Sequence, residues 1–301
     1  MARQFTSHFG IQRKMVAAMT TQSWREIPHV TYMYEPDVEA FFDFYTEEIK
    51  PHGISFNTLM LKVITEGLKA AIKMNSVLDY DRHYVKGKLT THEKISISMP
   101  MILPNDEMMT VNLHGFHKKS MTEMSEYIED IRRRAEKTNL NEAMYDISIN
   151  KTLGELKKGR VDVAARRILG AKLGKHRIVT LKGKEKEEYE SIPDTERLTK
   201  YDFEPGTITI SNIGSLYPQQ RGACTLLEIV PPQVTAIAVG SAQDKPVVIK
   251  KENGEKEIVI RKILPLCIAF DHRALDFGDI VPFLKRMDNI FENPEQIKEW
   301  L

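Results

Sequence analysis

The run FDHRALDFG, residues 270 to 278, sets Asp271, His272, Arg273 and Asp276 directly behind an apolar stretch, Leu264 to Phe270. Such a cluster belongs at the end of a buried strand, where a sheet meets solvent. A histidine there can serve as a general base, because its ordinary pKa of about 6.5 leaves a neutral, proton-accepting ring at neutral pH. Asp276, four residues on, can orient the local structure. The same spacing also suits a histidine that only satisfies hydrogen bonds at a strand-to-helix junction, so the run needs a companion. GTITISNIGS supplies one, since Ser211 and Asn212 close an alternating stretch just before Ile213 and Gly214. A hydroxyl at a strand end can donate to an oxyanion, although Ser-Asn before Gly is also ordinary turn chemistry. The pairing with His272 is what gives the serine weight.

Other chemistries find less support. His114 and His117 flank Gly115-Phe116, but no third or fourth ligand of matching type lies nearby, and they are read as loop histidines with no metal. Neither GxxxxGK[ST] nor GxSxG occurs, which argues against P-loop and α/β-hydrolase chemistry. Forty-three Lys plus Arg against 42 Asp plus Glu leave a formal charge of +1, so no global field draws the protein to nucleic acid or an anionic membrane. Cys224 and Cys267 are too few for a disulfide framework or a Cys-rich zinc site, which fits a reducing cytoplasm. The longest apolar stretches are far shorter than the roughly 20 residues that span a bilayer. The N-terminal stretch lacks the apolar run of a secretory signal. A cytoplasmic protein with no nucleic-acid or membrane partner is the expectation.

The elements that must hold these residues follow from periodicity. Pro28 to Glu35 reads as a strand, rich in β-branched and aromatic residues. Residues 37–50 place Val38, Phe41, Phe42, Tyr45 and Ile49 at helical spacing, and a second helix is expected over 56–74 through Leu59, Val63, Ile64, Leu68, Ala71 and Ile72. The period shifts to two over KISISMPM, with another short strand in TVNLHG. It returns to helical from Ser120 to Lys137. Thr138 to Pro205 is poorer in apolar residues, and from Lys151 to Glu190 holds 12 Lys plus Arg against 6 Asp plus Glu. That is the texture of a basic insertion or lid, with a short helix possible in VDVAARRILGAKLG. GTITISNIG, VTAIAVG, EIVIRK and LPLCIAF are strands, several of which must share a buried sheet, and GDIVPFLKRMDNIFEN is a closing amphipathic helix.

The two motifs, in this order and spacing, resemble the catalytic domain of the dihydrolipoamide acyltransferases, the E2 components of 2-oxoacid dehydrogenase complexes, whose fold chloramphenicol acetyltransferases share. The family motif of Asp-His-Arg, two variable residues, Asp and Gly is matched by Asp271, His272, Arg273 and Asp276, with Phe277 in place of the glycine. TITISNIG is similar to the family's Phe-Thr-Ile-Ser-Asn-Leu-Gly, and PPQVTAIAVGSAQDKPVV to the strand and turn that follow. QRKMVAAMTTQSWREIPHVTYMYEPDV resembles the opening helix and first strand. The likeness covers residues 12–74, 95–134 and 206 to the end.

The resemblance implies an α/β fold of the chloramphenicol acetyltransferase-like, coenzyme A-dependent acyltransferase type, a two-layer sandwich of mixed sheet and helices. One domain would span residues 1–301, with the insertion at about 138–205. His272 would deprotonate a coenzyme A or dihydrolipoyl thiol, which attacks a thioester; a hydroxyl or amine acceptor is the other possibility. Ser211 would bond the oxyanion across a subunit boundary, and Asp276 would pair with Arg13, with Asn212 and Arg273 supporting the site. Acyl-coenzyme A or an acyl-carrier thioester would be the donor, and the assembly a homotrimer or a shell of trimers. No lipoyl or subunit-binding domain is recognised, and Asp244-Lys245 is not expected to carry lipoate. A catalytically silent E2-like scaffold, blocked at Phe277, is the alternative.

Overall fold

The computed structural model describes residues 5–6, 8–102, 108–145, 147 and 180–301. Backbone contacts divide the chain into two compact units: Met1–Thr21 with Met101–Met109 and Asp130–Glu204, and Gln22–Pro100 with Thr110–Glu129 and Pro205–Leu301.

In chain order the helices are α1 (Ile11–Glu26), α2 (Glu39–Phe44), α3 (Phe56–Ala70), α4 (Met121–Glu136), α5 (Lys184–Glu190), α6 (Lys200–Phe203) and α7 (Phe277–Glu292). The strands are β1 (His29–Tyr34), β2 (Ser76–Asp81), β3 (Lys86–Thr91), β4 (Ile97–Ile102), β5 (Met108–Leu113), β6 (Ile208–Asn212), β7 (Thr235–Val239), β8 (Gln243–Lys250), β9 (Lys256–Ile263) and β10 (Leu266–Asp271). Six form one mixed sheet in the order β1-β10-β7-β6-β4-β5. β10 runs antiparallel to β1 and β7, whereas β6 runs parallel to β7 and β4. This is the α/β architecture expected from the sequence. β7 and β10 are buried at every residue, as strands covered on both faces must be. One face of that centre is sealed where Ile27, Leu227 and Ile229 meet Ala236 and Ala269.

α7 lies against α3 and ties back to β1, where the Tyr34 hydroxyl donates to Asp288 and Phe291 stacks on the Tyr34 ring. Burial, with the Asp288 carboxylate beside it, pushes the Tyr34 hydroxyl above its ordinary pKa. α3 starts on Ser55, whose Oγ accepts from the Thr58 N–H at 3.1 Å, satisfying one of the free donors of the first turn. The helix expected over 37–50 is shorter: α2 gives way to a π-helical turn at Tyr45–Ile49 and a 3₁₀ turn at Lys50–His52. Pro51 cannot donate an α-helical bond and crowds the preceding turn, and Gly53 closes the segment at φ +77°.

Two hairpins stand outside the main sheet. β2–β3 escaped the periodicity reading because β3, KGKLTT, is exposed throughout and has no buried face to pattern. Of the four strands expected in the last third, β9 is the one outside the main sheet: EIVIRK pairs with β8, and Ile258 and Ile260 are 72% and 74% exposed.

In the first unit Arg134 clamps Asp202 with two bonds, Nη1 at 2.9 Å and Nη2 at 2.8 Å, joining α4 to α6. The helix suggested in VDVAARRILGAKLG lies outside the described residues. Among the described residues no helix is long and apolar enough to cross a membrane.

The α3–α7 contact turns on Gly67. A Cβ there would sit 2.7 and 2.8 Å from the Phe283 ring and 3.1 Å from Met287 Sδ. Phe283 is fully buried and has nowhere to move. Gly67→Leu is therefore expected to destabilise the protein by about 3 kcal/mol through overpacking, read as a lowered denaturation midpoint at unchanged slope.

Candidate active site

β10 ends on Asp271, whose carboxylate is completely buried. Arg273 folds back onto it: Nη2 lies 2.7 Å from Oδ2, Nε 3.0 Å from Oδ1, and the Arg273 backbone N–H donates to Oδ1 at 2.9 Å. Those bonds hold the guanidinium above its ordinary pKa. Its outer face stacks 5.1 Å from the Tyr80 ring of β2. The loop is therefore drawn into a tight turn, and His272, between the two partners, is turned outward. Its backbone N–H is fixed to the Pro28 carbonyl at 3.1 Å, and its ring packs edge-on to Phe270.

The His272 side chain is 53% exposed, with Nδ1 3.4 Å from Asp276 Oδ1. When Nδ1 carries the proton of a neutral ring, Nε2 is the acceptor. Asp276 is also the residue on which α7 begins; its backbone N–H donates to Asp279 Oδ2 at 3.0 Å. The partner of Asp276 within its own unit is thus His272, and the ion pair that fixes the loop is Asp271–Arg273. Arg13 lies on α1 in the other unit.

Phe277 is the first residue of α7 and has an ordinary backbone, with no positive φ. Its ring packs edge-on to Tyr32 at 5.1 Å. The backbone here asks for nothing that only glycine could give, and at the neighbouring Gly278 a Cβ would meet nothing within 4 Å.

Ser211 and Asn212 end β6, opposite Ala238 and Val239 of β7. Asn212 Nδ2 donates to Asn57 Oδ1 at 2.8 Å, and Asn212 Oδ1 accepts from the Ser215 N–H at 3.0 Å. Among the described residues the Ser211 hydroxyl has no hydrogen-bond partner, which leaves it available to a ligand. Asn57 carried no signal in the sequence: it is one of two adjacent polar residues, with Thr58, in the first turn of a mostly buried helix.

Strand register separates the two halves. Ser211 pairs with Ala238, and Ala238 with Cys267 at the start of β10. His272 lies five residues beyond Cys267, about 17 Å along the strand direction. Within one chain the serine and the histidine occupy opposite ends of the sheet.

A family model for the 2-oxoacid dehydrogenases acyltransferase catalytic domain matches residues 4–148 and 175–298. The chain belongs to that family. The gap between the two matched stretches, residues 149–174, falls inside the segment expected as an insertion. The chain is 21% identical over 287 residues to the dihydrolipoyllysine-residue acetyltransferase component of the pyruvate dehydrogenase complex of Zymomonas mobilis, covering 94% of this chain. It spans about half, 48%, of that relative's length. Among solved structures, the cubic core of the pyruvate dehydrogenase multienzyme complex superposes with a TM-score of 0.65 at 17% identity, covering 98% of this chain and 94% of that one. The Azotobacter vinelandii dihydrolipoamide acetyltransferase gives a TM-score of 0.61 at 18% identity, with 98% and 94% covered. In that protein a serine, a histidine and an asparagine were investigated for their role in the catalytic mechanism. These likenesses establish the acyltransferase fold.

Because Asp271 is buried, Arg273→Leu strands its charge. The expected cost is about 3 kcal/mol of stability, and adding Asp271→Leu should recover much of it, measured by chemical denaturation of the single and double variants.

Proposed function

We propose that this chain is a coenzyme A-dependent acyltransferase, moving an acyl group between a coenzyme A thioester and a dihydrolipoyl thiol borne on another protein, with a hydroxyl or amine acceptor as the other possibility. The observation that carries the reading is the strand-end histidine, half-exposed and with Asp276 beside its Nδ1. Nε2 takes the proton of the incoming thiol, whose ordinary pKa of about 8.5 leaves it mostly unreactive at neutral pH. The thiolate attacks the thioester carbonyl carbon, and the carbonyl oxygen becomes an oxyanion. The Ser211 hydroxyl donates to that oxygen. Collapse expels the second thiolate, which takes the proton back from His272. Arg273 supports the loop through Asp271, Asn212 supports the serine end, and Arg13 is proposed as a further partner of Asp276.

The register argument supports a shared site, with His272 from one copy and Ser211 from the next. A homotrimer, or a larger shell of trimers, is the assembly proposed. Lipoylation of Lys245 is not part of the reading: that side chain lies in β8 and pairs with Glu35 at 2.6 Å. A cytoplasmic location is proposed from the two cysteines, both of them free thiols. Residues 1–301 are read as one catalytic domain, with an insertion at about 138–205.

His272→Ala is expected to lower thiol release from acyl-coenzyme A by about 10²- to 10⁴-fold with the fold intact, and Ser211→Ala to lower kcat by about 10²- to 10³-fold. A parent protein that binds no acyl-coenzyme A by calorimetry and releases no thiol would instead identify a silent scaffold. For the shared site, His272→Ala and Ser211→Ala subunits are dissociated, mixed and reassembled. Partial recovery of activity is expected. Fully active monomers in sedimentation, or inactive mixed trimers, would refute it.

A further inference from the structure

The serine end of the site rests on a contact between two asparagines. Asn212 follows Ser211, and its side chain is held at both ends, donating to Asn57 Oδ1 at 2.8 Å and accepting from the Ser215 N–H at 3.0 Å. Ser215 closes the turn from the other side, its Oγ donating to the Asn212 carbonyl at 2.8 Å. Beyond Asn212 the N–H groups of Ile213 and Gly214 both reach the Val239 carbonyl, at 3.0 and 3.2 Å. The turn is pressed so close to the end of β7 that a Cβ at Gly214 would fall 2.2 Å from the Gly240 carbonyl oxygen. The Ser211 hydroxyl itself has no hydrogen-bond partner among the described residues. Its position is therefore set by this frame and by nothing it bonds to directly.

Within the frame, the Asn212–Asn57 bond is the one strut that leaves the turn and its neighbouring strand. Asn57 sits in the first turn of α3, which the Ser55 cap fixes and whose far end packs into α7. Its amide nitrogen faces only Met99 Sδ, at 4.0 Å, so the oxygen toward Asn212 is its one strong contact. We propose that Asn57 is a positioning residue for acyl transfer: acting through Asn212, it fixes the strand end that aims the Ser211 hydroxyl at the oxyanion. The inference rests on the reading of Ser211 as the oxyanion donor.

The test uses the assembled protein and the thiol-release assay. Asn57→Leu keeps the shape and removes the acceptor. It should lower kcat about 10- to 100-fold with KM little changed, since misplacement by a fraction of an ångström weakens a bond needed only in the transition state. Asn57→Asp restores the acceptor and places an anion where a helix start favours one, and it should recover most of the lost kcat. In a Ser211→Ala background Asn57→Leu should cost nothing further, because there is no hydroxyl left to aim. A general folding defect would give the same loss in both backgrounds, and that result, an undiminished kcat in Asn57→Leu, or no recovery in Asn57→Asp, would overturn the proposal. If Ser211→Ala alone is without effect, it is the reading of the serine that has failed, separately from that of Asn57. Thermal melts of each variant exclude unfolding as the cause.

Discussion

The five residues of β7 govern the molecule. They are wholly buried and paired on one side with an antiparallel strand that runs into the histidine loop, on the other with a parallel strand that ends in the serine. With both faces covered, the register cannot slip without turning every side chain to the wrong layer. Because β6 points the same way as β7 and β10 the opposite way, Ser211 and His272 leave from opposite ends of one sheet. Their separation is thus a consequence of strand direction, and no change of side chain could repair it.

A second constraint acts on the histidine end. A loop presenting a half-exposed imidazole would be mobile unless its backbone were held from below. Asp271 and Arg273 do this from either side of His272, with the arginine folded back onto the strand's last carboxylate and braced on Tyr80. The arrangement uses a buried charge, which is costly unless paired, to tie a reactive side chain to the core without touching it. Asp276 then serves two structures at once, as the residue that starts α7 and as the neighbour of Nδ1.

What could be read from the sequence was what periodicity and short motifs encode. The sheet strands β1, β4, β6, β7 and β10 and the helices α3, α4 and α7 show themselves by composition and apolar spacing, and His272, Asp276, Ser211 and Asn212 by motif. Failures came where burial and pattern part company. β3 is exposed throughout, and β9 alternates as a core strand would while projecting Ile258 and Ile260 into solvent. No local pattern distinguishes those cases. Asn57 could not be seen because its meaning lies in a partner 155 residues away. The Asp271–Arg273 bonds were hidden in plain view: both residues stood in the motif, but only the tight turn after β10 makes them each other's partners.

The β8–β9 ribbon carries a hazard together with its safeguard. Val248, Ile258 and Ile260 stand outward on a two-stranded ribbon outside the main sheet, a composition prone to edge-to-edge stacking between newly made chains. Pro246, opposite Ile260, offers no N–H to an incoming strand, and Lys250 faces Lys256 at the tip, where like charges repel both each other and a second ribbon. The ribbon therefore keeps an oily face while its borders discourage the uncontrolled fibre growth that such a face invites.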